Sequence, residues 1–214
     1  MRLDHISYVA SHDQISDVVN RIGSQIGTAF IDGGIHPKFG TRNFTAPLLN
    51  GQYIEVVCPL DHPATDATAF GQAVKKKAEA GGGWLTWVFS TSDLTNVEEK
   101  FGRKAADGSR TRPDGSELKW KQIGVKEILG SGELPFFIQW LTYNHPSKDG
   151  NSVAKITKIV IADDEKLADS WFQDEIKSAL SGVEIEWVKP ELNQGDKGIV
   201  EVCFDIKSQS ILIS

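Results

Sequence analysis

Two stretches decide the reading of the chain: YIEVVCPLDHP, residues 53–63, and FFIQWLTYNHP, residues 136–146. Each is a run of β-branched and aromatic residues, the composition of a half-buried strand. Each carries one polar residue in its middle, Glu55 in the first and Gln139 in the second. Each ends in a turn with a His-Pro pair, His62-Pro63 and His145-Pro146. Proline ends a strand by removing a backbone donor, so these two histidines read as turn residues. A strand written twice points to a duplicated module.

The surroundings of both strands repeat as well. HISYVA reads as a strand. Ser11 or Asp13 is placed to cap a helix carrying Ile15, Val18, Val19, Ile22 and Ile26 at helical spacing, with Gly27 as its stop. TAFIDGGI and the stretch from Arg42 to Leu48 follow as strands, and Asn50-Gly51 signals the hairpin into YIEVV. Residues 1–60 are thus β-α-β-β-β. Residues 61–80 read as a linker helix ending at Gly81-Gly82-Gly83. Residues 81–146 repeat the order: WLTWVFS, a helix in TNVEEKF capped by Asp93, two strands around a Pro-Asp-Gly turn, and PFFIQWLTY. Residues 151–214 give a shortened third copy, β-α-β-β, with KLADSWFQDEIKSAL as its amphipathic helix. The last third is expected to pack on the same unit, because its aromatic and β-branched content is too high for disorder. The fold class is α+β, with paired βαβββ modules forming a cupped mixed sheet.

Composition narrows the function. The chain has 214 residues, 40% hydrophobic and 24% charged, with a net charge of −6. That balance argues against a nucleic-acid or anionic membrane partner. No stretch approaches the roughly 20 apolar residues of a membrane span, and the N-terminus reads as a strand with no apolar signal segment. Cys58 and Cys203 both fall in strands, as reduced thiols of a cytoplasmic protein do. A small-molecule ligand is the partner expected, and a homodimer is compatible with the sequence. No phosphate-cradling glycine loop, CxxC pair or Ser-His-Asp arrangement is present.

The segments LDHISYVA, GGIHPKFGTRNFTAPL and GQYIEVV occur in an order that resembles the glyoxalase-like group of the vicinal oxygen chelate superfamily. The resemblance is clear over about the first sixty residues. It reaches the second module through LPFFIQW and the last third by element order alone. It implies two modules whose first and last strands are neighbours, each giving a metal ligand to a shared cup. Carried over, His5 and Glu55 take the ligand positions of the first module, suited to Zn²⁺, Mn²⁺, Fe²⁺ or Ni²⁺. In the second module Leu85, beside Thr86, stands where a histidine is expected, and Gln139 where a carboxylate is expected. Half the ligand set is therefore missing.

The same resemblance implies the other site residues. Glu55 is a candidate base and His36, among glycines at the mouth of the cup, a candidate catalytic histidine. Asn43 is expected to face inward, while Arg42 is the alternative contact for an anionic group. Gln139 is expected to hydrogen-bond the ligand. Trp87 and Phe137 share the inward phase of the ligand positions and are expected to wall the cup. Two functions stay open: a metal-assisted lyase, isomerase or dioxygenase, and a metal-free protein that binds a small molecule without catalysis. His5 and Glu55 admit a plainer role too, as a buried pair ordering two strands.

Overall fold

A computed structural model describes residues 1–129, 134–163 and 176–214. Eight strands close into a barrel. The first module supplies β1 (Arg2–Val9), β2 (Ile31–His36), β3 (Thr41–Pro47) and β4 (Tyr53–Pro59), with helix α1 (Ile15–Ile26) between β1 and β2. The linker forms α2 (Pro63–Ala67) and α3 (Ala69–Glu79). The second module supplies β5 (Gly83–Ser90), α4 (Thr95–Phe101), β6 (Ala106–Thr111), β7 (Glu117–Ile123) and β8 (Phe136–Trp140). Around the barrel the order is β1-β4-β3-β2-β6-β7-β8-β5. First and last strands of each module pair in parallel, β1 with β4 and β5 with β8. The modules join where β1 runs antiparallel to β5 and where β2 meets β6. The cup is therefore closed all the way round.

The last third builds its own sheet, β10-β9-β11-β12, from β9 (Ala154–Ala162), β10 (Glu184–Val188), β11 (Gly198–Ile206) and β12 (Gln209–Ile213). Most of the helix expected over 166–180 lies outside the described residues; 176–180 are helical.

Local signals explain most of the element ends. Gly27 closes α1 in the left-handed region, at φ 65°. The cap at its other end is Gln14, with no side-chain bond, instead of Ser11 or Asp13. Asp93 sits one residue ahead of the α4 cap and accepts from the Thr95 backbone N–H at 2.9 Å. His62 and His145 both cap short helical turns, accepting from the backbone N–H of Ala64 and Ser147.

The core has two parts. An outer layer between the barrel, α1, α4 and the second sheet holds Ile6, Trp84, Trp87, Phe89, Phe137, Ile159 and Phe204. Trp84 Nε1 also donates to the Ile213 carbonyl at 2.9 Å, tying β5 to β12. An inner cluster fills the barrel end beneath α3, with Val9, Val57, Phe70, Val74, Leu85 and Val88. Both cysteines are free, and burial pushes the Cys58 thiol up to about 11, which leaves it unreactive. Among the described residues no helix is long and apolar enough to cross a membrane.

Candidate active site

The barrel interior holds a narrow cavity walled by apolar Phe136, Ile138, Trp120 and Trp140, and by polar His5, His36, Asn43, Tyr53, Glu55, Arg110 and Gln122. Phe39 and Phe70 lie at its α3 end. Water-sized molecules have about 30 Å³ of room there, enough for two or three waters at ~10–15 Å³ each.

His5 reaches this cavity through a fault in its strand. Along β1, Leu3 pairs with Phe89 and His5 pairs with Val88, so Asp4 is an unpaired extra residue. Successive strand residues ordinarily face opposite sides, but such a bulge turns two neighbours the same way. Asp4 and His5 accordingly meet, with His5 Nδ1 3.0 Å from Asp4 Oδ2. Asp4 is fully buried and also receives Trp140 Nε1 at 3.2 Å, His145 Nε2 at 3.0 Å and an Arg2 guanidinium nitrogen at 2.8 Å. Burial works to raise its carboxyl. The hydrogen bonds and charge of His145 and His5 overcome that and hold it well below the usual carboxylate range. A carboxylate only accepts, so His5 donates from Nδ1 and carries its lone pair on Nε2. The ring stacks on Tyr53, with centroids 4.4 Å apart.

Glu55 stands on the neighbouring strand. Its two oxygens accept from Ser7 Oγ at 2.6 Å and Asn43 Nδ2 at 2.7 Å. Burial would raise this carboxyl, but the His5 and His36 imidazoles and these two bonds keep it below its ordinary value. Asn43 passes the interaction on, accepting from Arg110 Nη1 at 2.8 Å. Gly33 makes this contact possible: a Cβ there would collide with Asn43 Oδ1 and Arg110 Nη1. Burial pulls His36 down to about 4, with Arg110 and His5 adding to the effect and Glu55 opposing it, so it is neutral near pH 7. Its Nδ1 lies 2.9 Å from Thr41 Oγ1.

The structure thus brings His5, His36, Asn43 and Glu55 together. Arg42, Trp87, Phe137 and Gln139 lie elsewhere. Arg42 points outward to Asp32 and over Phe44. Trp87 and Phe137 belong to the outer layer, Trp87 against Phe89 at 5.3 Å and Phe137 against Phe101 at 6.3 Å. For Trp87 the reason is a second bulge. Ser7 pairs with Thr86 and Tyr8 with Trp84, so Leu85 is the extra residue on β5. Leu85 and Val88 take the inner cluster, and Trp87 takes the outer face. On β8 the inward residues are Phe136, Ile138 and Trp140, which turns Gln139 away to donate to the Ser92 carbonyl at 2.7 Å. A one-residue phase error moves every side chain to the other face. Tyr53 faces inward, as its shared phase with Glu55 predicts, whereas reading the sequence passes over Asp4 and Arg110. The adjacent Asp-His pair in LDHISYVA is the signal for Asp4; an isolated arginine in a hairpin is no signal at all.

The donors do not fit a divalent ion. Among the described residues no three His, Cys, Asp or Glu side chains are grouped to hold one. His5 and Glu55 are two donors where catalytic sites such as those of zinc enzymes use three protein ligands. Both Glu55 oxygens already accept hydrogen bonds, and the Arg110 cation shares its surroundings.

A paired-module barrel with polar groups converging inside it is the architecture of the glyoxalase-like proteins. The family model for the glyoxalase-like domain matches residues 3–175, and the chain belongs to that family. A hypothetical protein from Staphylococcus aureus shares the fold over 97% of this chain and 92% of its own, with a TM-score of 0.64 and 16% identity. Methylmalonyl-CoA epimerase from Mycobacterium tuberculosis aligns with 64% of this chain and 87% of its own, with a TM-score of 0.43 and 16% identity. A variant of the Streptomyces coelicolor enzyme of that name, in complex with 2-nitronate-propionyl-CoA, covers 66% of this chain and 99% of its own, with a TM-score of 0.44 and 16% identity. No curated protein sequence matches the chain.

Proposed function

We propose that the barrel binds a small carbonyl compound and shifts a proton on it without a metal, as an isomerase or lyase does. The observation that carries this reading is the Asp4–His5 pair. A base oriented by a buried carboxylate, with its lone pair on Nε2 in a narrow cavity, is the arrangement that proton abstraction needs. His5 Nε2 takes the proton from the carbon next to the carbonyl; the C–H pair becomes the C=C bond of the enolate, and the carbonyl π pair moves onto the oxygen. Asp4 and Glu55 stabilise the imidazolium that forms. Thr41 O–H donates to His36 Nδ1, and His36 then offers its Nε2–H, still neutral, to the developing oxyanion. His5 returns the proton to the same carbon or its neighbour. Glu55 is the weaker candidate for the base, since its oxygens are engaged and its pKa is depressed.

Proton NMR in D₂O tests this. Small 2-oxo carboxylates and hydroxyketones are incubated with the protein, and loss of the C–H signal is followed. Exchange with the native protein, abolished in His5→Asn, is the expected result. Binding of these compounds with no exchange in any of them would leave the protein a binding module.

A further inference from the structure

Arg110 is 2% exposed, in the interior of a barrel. An arginine in that position ordinarily has its five hydrogens matched by acceptors, because a buried unpaired cation is costly. Among the described residues Nη1 alone has a partner, Asn43, and Nε and Nη2 are buried without one. These two nitrogens form one edge of the guanidinium, and their parallel N–H bonds match the two oxygens of a carboxylate. The Asn43 bond and the absent Cβ of Gly33 fix the group, so the open edge is preset. Glu55 does not fill it, since Asn43 stands between them.

We infer that Arg110 is the anion-recognising residue of the cavity and that the ligand is a small organic carboxylate. Strand β6 stands across the barrel from β1, so the carboxylate and the carbon facing His5 belong to opposite ends of a short molecule. Trp120 and Trp140 line the space between with apolar surface. This assignment deepens the proton-transfer reading and rests on the same cavity.

The test uses the intact protein with [15N]arginine labelling, titrated with propionate and with propionamide, which has the same shape without the charge. Propionate is expected to bind at least about tenfold tighter, the ratio that a bidentate charge-assisted pair supplies, and to shift the Arg110 Nε–H signal. Arg110→Lys is expected to weaken the preference and Arg110→Met to erase it, with thermal unfolding confirming that each variant folds. Equal binding of the two probes, or an unmoved Arg110 signal at saturation, would overturn the assignment even if no variant folds. His5→Asn is expected to keep the preference. Preference without carbon-bound exchange would therefore reject the proton-transfer reading alone, and exchange without preference would reject the Arg110 assignment alone.

Discussion

At the scale of single residues, burial sets the chemistry. His36 is held neutral by desolvation, and that preference is also a stability term. Its pKa falls from 6.5 to about 4 on folding, so the unfolded chain binds the extra proton first as the pH drops. Stability is then lost between pH 6.5 and 4, by on the order of 3 kcal/mol in total. Asp4 and Glu55 act mostly at lower pH. Their depressed carboxyls contribute above the unfolded values of 3.8 and 4.5, and that contribution is lost as the pH falls through those values and below. Urea unfolding at pH 7 and pH 4.5 is expected to show the His36 loss in the native protein and most of it removed in His36→Gln. Equal losses in both proteins would show that His36 does not carry it.

At the scale of elements, irregularities in the strands place the groups that regular strands could not. Gly33 is the extra residue of a bulge in β2, between the pairs Asp32–Phe44 and Gly34–Asn43. Gly33→Ala is expected to cost about 1–3 kcal/mol in chemical denaturation and to separate Asn43 from Arg110, leaving the barrel folded. Unchanged stability, with the Arg110 Nε–H signal still in its native position, would count against the contact. The same bulges mark where the sequence ceases to be readable. Alternation and turn chemistry suffice for the strand order and for Gly27, and the family resemblance supplies the inward positions of His5, Asn43 and Glu55. They fail at Trp87 because Leu85 shifts the phase of β5, and at Gln139 because likeness to Glu55 in the middle of a strand says nothing of pairing register. A bulge arises from pairing between distant strands, and no local pattern encodes it.

At the scale of the whole molecule, duplication makes the cavity and asymmetry makes the site. Each module leaves one sheet face bare, and closing the two at β1–β5 and β2–β6 turns those faces inward. The first module and β6 supply its charged groups, while β7 and β8 supply the tryptophans and Phe136. The second sheet covers the outer face at Trp84 and Phe204, whose rings lie 6.5 Å apart. On the proposed function, the barrel interior receives a small carbonyl carboxylate. A crystal structure with a bound 2-oxo carboxylate tests it most directly. The carboxylate is expected against Arg110 Nε and Nη2, with the carbon beside the carbonyl directed at His5 Nε2. A ligand bound outside the barrel, with only water inside it, would contradict this placement.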